Sequence, residues 1–305
     1  MTDQLPAAAV LGNVNLDVVC KPVDEVPRHH SLLYEEGLIL PGGNGSNTAI
    51  GLASRGVTTY LIAQTGADAA AGLLHNHWER AGVDTRWVRT EPDVFTGTSV
   101  VLVDSAAQPR FIHTPGANAR LFPDILIPEL LLDRGVKHLH VAGYFVLPGL
   151  LQEGFSRRLA AARDQGLTVS LDVVSTPGMS EPEPLWSCLP TLDVFLCNRQ
   201  EAEQLLGIGD VPAAAQEFRV RGAPTVIIKL GAAGCWVDSG GAARRIPAPR
   251  VDRIVDTTGA GDAFAAGLIA GLLAGKEVFS AAQQAVRTGS EVLGHLGAVP
   301  LDQVT

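Results

Sequence analysis

DTTGAGDAFAAGLIAGLLAG, residues 256–275, reads as a tight turn of small residues that runs directly into a helix. The turn Thr257-Thr258-Gly259-Ala260-Gly261 frees several backbone N–H groups at a helix N-terminus. With the helix dipole these form a site for an anion. Asp262 sits in the first turn beside it. A carboxylate there can accept the proton of a hydroxyl that attacks phosphorus, and phosphoryl transfer asks a protein mainly for positioning and charge stabilisation. An aspartate of ordinary acidity is ionised at pH 7, so this role requires no large pKa shift. Small residues form two stripes on the helix, Ala263, Gly267, Gly271 and Ala266, Ala270, Ala274, which permits close packing. A lone Gly-Ala-Gly-Asp is equally what a capped helix with a first-turn acid looks like, worth roughly 0.3–1 kcal/mol through the dipole. The rest of the chain separates the two readings.

Upstream, apolar runs at 137–141, 167–172, 192–197 and 224–229 predict strands, and the periodicity predicts helices over 149–165, 199–206, 210–221, 260–274 and 277–296. This alternation argues for an α/β fold with a mostly parallel sheet covered on both faces. Nearer the N-terminus, Ala7 to Leu11 and Thr59 to Ala63 read as strands, and Asn47 to Ser54 and Asp68 to Ala81 as helices. Two segments interrupt the pattern. Residues 15–44 hold short apolar runs broken by Pro22, Pro27 and His29-His30, and residues 95–113 hold two strands around a turn. Paired together, these make a small β lid, leaving 1–14, 45–94 and 114–305 as the core.

Gly12-Asn13-Val14-Asn15-Leu16-Asp17 follows the first strand. Asn15 and Asp17, two residues apart, share one side of an extended segment. An amide and a carboxylate there suit sugar hydroxyls, though polar residues capping a turn would look the same. Asn198-Arg199-Gln200-Glu201 follows an apolar strand. It reads either as a capping box or as a carboxylate for Mg²⁺, which needs only one such ligand beside phosphates and waters. Lys229-Leu230-Gly231-Ala232-Ala233-Gly234 ends another strand, where a β-turn is the usual explanation. Asp172 ends a strand too, and either faces phosphates or metal or caps a helix. His75, His77, His138 and His140 have no partner pattern and read as structural or surface residues.

DTTGAGDAFAAG resembles the second signature of the ribokinase-like carbohydrate kinases, the PfkB family, and PGGNGSNTAIGLASRG (41–56) resembles the first. The resemblance implies a three-layer α/β/α core with a β lid, and transfer of the γ-phosphate of ATP to an alcohol with Mg²⁺. It implies Asp262 as general base and Gly259, Ala260 and Gly261 as anion hole. Asn15, Asp17, Gly42, Gly43 and Asn47 would meet the sugar, and Asn198, Lys229, Gly231 and Gly234 the nucleotide. Glu201 would organise Mg²⁺ through water, and Asp256 with the Thr258 carbonyl would hold a monovalent cation, K⁺. The implied acceptor is a small sugar such as fructose, ribose, a ketohexose phosphate or a sugar acid. An adenosine-like nucleoside kinase is the alternative, and a non-catalytic sugar-binding regulator a more distant one. The lid serves some relatives as a homodimer interface.

The chain departs from ribokinase itself in several places. It has Gly143-Tyr144 where a sugar-contacting Glu is common, Val286 where an Asn is frequent, and Gly297-Ala298-Val299-Pro300-Leu301 without the usual serine. Pro27-Arg28-His29-His30-Ser31 lacks the common Gly-Glu pair. These departures argue against ribose specificity and a standard K⁺ site. His113-Thr114-Pro115-Gly116-Ala117-Asn118 resembles a sugar-kinase loop and is also a simple Pro-Gly turn.

Composition fits a small-molecule enzyme. The 305 residues carry 23 basic and 32 acidic side chains, a net charge of −9, with no basic cluster for nucleic acid. A dinucleotide-binding G-x-G-x-x-G is missing after the first strand, and so is a P-loop, G-x-x-x-x-G-K-[ST]. Cys20, Cys188, Cys197 and Cys235 lack metal-ligand spacing and read as reduced thiols of a cytoplasmic protein. No signal peptide or membrane span is expected.

Overall fold

The computed structural model describes residues 5–298. Its first half runs β1 (Leu5–Gly12), β2 (Asn15–Lys21), β3 (Glu36–Gly42), α1 (Asn44–Ala53), β4 (Val57–Gly66), α2 (Ala69–Arg80), β5 (Val83–Glu91), β6 (Gly97–Val103) and β7 (Pro109–Thr114). Then follow α3 (Pro128–Asp133), β8 (Val136–Ala142), α4 (Phe155–Asp164), β9 (Thr168–Asp172), α5 (Glu183–Cys188), β10 (Val194–Asn198), α6 (Arg199–Leu206) and α7 (Val211–Val220). The last elements are β11 (Thr225–Lys229), β12 (Cys235–Ser239), β13 (Ala242–Ile246), α8 (Ala260–Leu273) and α9 (Val278–Glu291).

β1 is apolar along most of its length because both its faces are covered. Ala7, Ala9 and Leu11 join one core cluster and the alternating Ala8 and Val10 join another. Nine strands form the central sheet, in the order β13-β12-β11-β10-β9-β8-β1-β4-β5. Its strands run parallel except for the hairpin β12–β13, which extends one edge antiparallel. Leu131, Phe155, Leu159, Leu205 and Phe218 bring α3, α4, α6 and α7 onto one face. Ile50, Trp78, Ile269 and Ala285 bring α1, α2, α8 and α9 onto the other. The result is the three-layer arrangement that strand–helix alternation implies.

The small-residue stripes of α8 are spent on neighbours on both sides. A Cβ on Gly267 would lie 2.6 Å from Thr288 Oγ1 and one on Gly271 3.0 Å from Ala281, both on α9. Ala266, on the other stripe, meets Gly51 of α1.

The remaining four strands form a second sheet, β3-β2-β6-β7, with β2 and β6 parallel and both outer pairs antiparallel. Alternation gives it two distinct faces. Leu40, Asp17, Ser99 and His113 lie in one cross-strand row; the next row is Ile39, Val18, Val100 and Ile112 on the opposite face.

Several elements differ from expectation. The helix expected over 149–165 is a 3₁₀ turn at Pro148–Leu151 followed by α4, with Gly154 at φ 106° between them. The helix expected over 277–296 ends as α at Glu291 and continues as 3₁₀ to Gly294. α1 starts at Asn44 instead of Asn47 because Gly43, at φ 85°, turns the chain straight out of β3. β5, β12 and β13 were not anticipated. Val299, Pro300 and Leu301 lie outside the described residues. Among the described residues no helix is long and apolar enough to cross a membrane, and all four cysteines are buried and free.

Candidate active site

α8 begins at Ala260, capped by Gly259 in the left-handed region at φ 76°. No other residue fits there easily, since a Cβ would lie 2.4 Å from that of Ala298. The first-turn N–H groups therefore emerge from the helix with no carbonyl four residues back to take them. Thr258, Gly259 and Asp262 line a cavity of about 250 Å³, so the turn opens onto space rather than onto packed core.

Asp262 is clamped from α1. Asn44 Nδ2 donates to one carboxylate oxygen and Asn47 Nδ2 to the other, each at 2.8 Å. The role of base requires no pKa shift, but the fold imposes one. Burial, then the nearby charge of Asp172, pushes Asp262 up to about 6, against the pull of Asn47, Asn44 and Lys229. The group is still mostly ionised at pH 7. Asn47 was expected to donate to a substrate hydroxyl; one of its two amide N–H bonds serves Asp262 here, and its buried Oδ1 has no partner.

The second sheet forms the facing wall. Asn15, Asp17 and Ser99 line the cavity, with Phe111 and His113 from β7. Burial raises the Asp17 carboxyl to about 7, with Ser99 lowering it and Asp262 raising it further. Asp17 Oδ1 is buried and has no partner. Gly42 lies directly beneath this carboxyl: a Cβ would fall 2.0 Å from its Oδ2. The two glycines of the first signature thus act differently, Gly42 by yielding space to Asp17 and Gly43 by redirecting the chain.

Among the polar residues around the cavity, sequence reasoning assigned no role to Asn13, Asn44, Ser99, Ser175 and Thr176, and read Asn118 only as part of a loop. Asn118, in the loop that also reads as a Pro-Gly turn, receives Val14 N–H and donates to Val14 O, Asn15 Oδ1 and Pro115 O. It ties the start of β2 to the end of β7. Asn44 was legible in principle, standing three residues before Asn47 and so on the same helix face.

Beyond the turn lies a charged cluster at the strand ends. Lys229, at the end of β11, is 3.9 Å from Asp172, at the end of β9, and Asp172 accepts Gly143 N–H at 2.8 Å. Asp172 caps no helix. Burial alone would lower Lys229, yet Asp172, Glu201 and Asp262 together hold it above its ordinary value. Burial raises Asp172 and Glu201, with Lys229 opposing. Lys229 Nζ lies 3.3 Å from where a Cβ of Gly261 would be, next to the anion turn.

Asn198 and Glu201 do form the capping box, with Glu201 N–H to Asn198 Oδ1 at 2.9 Å and Asn198 N–H to Glu201 Oε2 at 2.6 Å. Among the described residues no group of three or more His, Cys, Asp or Glu is arranged to hold a metal ion. Gly231 has open space beside it, and Gly234 packs against Ile246 O. Asp256 is fully buried and accepts from Thr258 N, Thr258 Oγ1 and Gly297 N. His138 and His140 are buried on Ser170, and burial pushes both down to about 3, so they are neutral core residues.

Comparison with known proteins places this arrangement among the phosphotransferases that act on an alcohol group. The chain belongs to the pfkB family carbohydrate kinases, whose family model it matches over residues 7–303. It is 32% identical over 235 residues to an uncharacterized sugar kinase of Archaeoglobus fulgidus, covering 75% of this chain and 88% of that protein. It is 28% identical over 308 residues to the ribokinase of Haemophilus influenzae, covering 97% and 96%. Among solved structures, Arabidopsis thaliana ribokinase complexed with ribose and ATP superposes with a TM-score of 0.81 at 24% identity, covering 98% of this chain and 96% of that one.

Proposed function

We propose that this protein transfers the γ-phosphate of ATP to a hydroxyl of a small sugar held between the two sheets, with Asp262 as the base. The observation that carries the reading is the position of Asp262. Its ionised carboxylate is held by two amides at the mouth of the anion turn, on the wall of a cavity of small-ligand size. Asn15 and Asp17 would meet the sugar directly. Asn47 would offer its free Oδ1, and Gly42 would keep Asp17 in place. The transferred group's charge would fall on the N–H groups at 259–261.

Lys229, with Asn198 and the 231–234 turn, would serve the nucleotide. Asp172, Glu201 and Asp262 outnumber Lys229, and such an excess of buried negative charge suits Mg²⁺ held by Glu201 through water and by phosphates. A K⁺ ion at Asp256 and the Thr258 carbonyl would stand beside the three donors already on that carboxylate. Residues 15–44 and 95–113 act as a lid on the core. The lid's outer row, with Ile39, Val100 and Ile112 at 55%, 38% and 63% exposure, would pair two copies of the chain. A nucleoside acceptor is the second reading, favoured by the half-exposed ring of Phe111 on the cavity wall.

The test is Asp262→Asn in an ADP-release assay over sugars and nucleosides. Turnover should fall by at least about a thousandfold with acceptor binding kept. Undiminished turnover would remove Asp262 from its role.

A further inference from the structure

We infer that the acceptor this cavity takes is uncharged, a free polyol or nucleoside, and that acceptors already bearing a phosphate or carboxylate are rejected. The inference rests on the kinase reading and narrows its substrate class.

The first ground is the charge on the walls. Two carboxyl groups, Asp17 and Asp262, line the cavity from opposite sides, and among the described residues no Lys or Arg lines it. His113 is the one basic side chain on its walls. Lys229 is not one of the lining residues; its Nζ lies 3.9 Å from Asp172, with which it is paired.

The second ground is the direction of the hydrogen bonds. Amide N–H groups recognise anions as well as lysines do, and five asparagines surround this space. Four of them already spend amide N–H bonds within the protein, Asn118 both of its two and Asn15, Asn44 and Asn47 one each. Asn15 donates to Ser99, Asn44 and Asn47 to Asp262, and Asn118 to Val14, Asn15 and Pro115. The buried polar atoms left without partners on these walls, Asp17 Oδ1 and Asn47 Oδ1, are acceptors. A buried acceptor is satisfied by a donor, and a ligand rich in hydroxyls brings donors. A phosphate or carboxylate brings further acceptors and a second negative charge. Lodged about 6 Å from one ionised carboxylate at an effective dielectric near 20, it would bind roughly a hundredfold more weakly than its neutral counterpart.

The experiment uses matched pairs at pH 8: fructose against fructose 1-phosphate and fructose 6-phosphate, ribose against ribose 5-phosphate, glucose against gluconate, and adenosine against AMP. ADP release gives kcat/KM and calorimetric titration gives affinity without turnover. In every pair that responds, the neutral member should lead by at least about tenfold, and Asp17→Asn should shrink that ratio even as it weakens binding overall. An anionic acceptor used as well as its neutral partner would overturn the inference and leave the kinase reading standing. Silence from every pair, in both turnover and calorimetry, would overturn the kinase reading and this inference with it.

Discussion

Replacing Asn44 by alanine removes one of the two amides that hold the Asp262 carboxylate and leaves the helix start intact. The Asn44 backbone N–H keeps its bond to Asn13 Oδ1 at 3.1 Å, and alanine is a good helix former. What is lost is a 2.8 Å hydrogen bond to a buried charged oxygen. Bonds of that kind are worth about 1.5–3 kcal/mol, and about 1.4 kcal/mol corresponds to one pH unit. The acidic limb of kcat/KM, set by a carboxyl at about 6 in the parent, should therefore rise by about one to two pH units. At pH 7 the ionised fraction would fall from roughly nine-tenths to roughly a quarter, a loss of about fourfold in rate. At pH 9 parent and variant should nearly coincide. A water entering the vacated space would place the result at the low end. The assay is ADP release at subsaturating acceptor, from pH 5 to 9.5, with nucleotide saturating. A rate loss of equal size at every pH, or an unmoved limb, would show that the Asn44 amide does not set the acidity of the proposed base.

Gly259→Ala should cost about 1–3 kcal/mol in stability, through its left-handed backbone and a contact of 2.4 Å with Ala298, and should lower kcat by distorting the turn; thermal melts and steady-state rates check both. Asp17 and Asp262 titrate at about 7 and about 6 in the fold against 3.8 otherwise, so the folded state holds their protons more tightly than the unfolded chain. Their contribution to stability is therefore most favourable at low pH and is lost as pH rises from about 4 to about 7. Asp17→Asn should raise the melting midpoint relative to the parent at pH 8 and leave it nearly unchanged at pH 4. If the outer row of the small sheet pairs two copies as proposed, Ile112→Lys should shift the protein to a monomer in sedimentation without changing kcat.

Much of the fold was legible because the central strands are buried on both faces and the helices on one, which writes their periods into the sequence. β5 was missed because it is an edge strand whose residues, such as Arg86 and Arg89, face solvent and break the apolar run. The β12–β13 hairpin carried its own sign in Gly240-Gly241, both at positive φ as a two-residue turn requires. Asp262 and its turn could be read from local chemistry. The residues that surround them could not be assembled that way, since Asn44 reaches Asp262 across 218 positions and Asn118 reaches Val14 across 104. A capping box at Asn198 and Glu201 and a metal-binding carboxylate leave the same letters in the sequence, and the cap that the structure shows does not separate them.

The chain crosses between the two sheets four times: at residues 13–15, at 42–44, ahead of Gly97, and at 114–118. Three of these crossings supply walls of the acceptor cavity, and at the fourth Gly97 lies against Asn15 and Asn118. The joint and the recognition surface are thus built from the same few side chains. A substitution that alters how the two sheets are joined also alters the walls of the cavity between them. Reshaping that cavity therefore means changing the residues that join the two sheets.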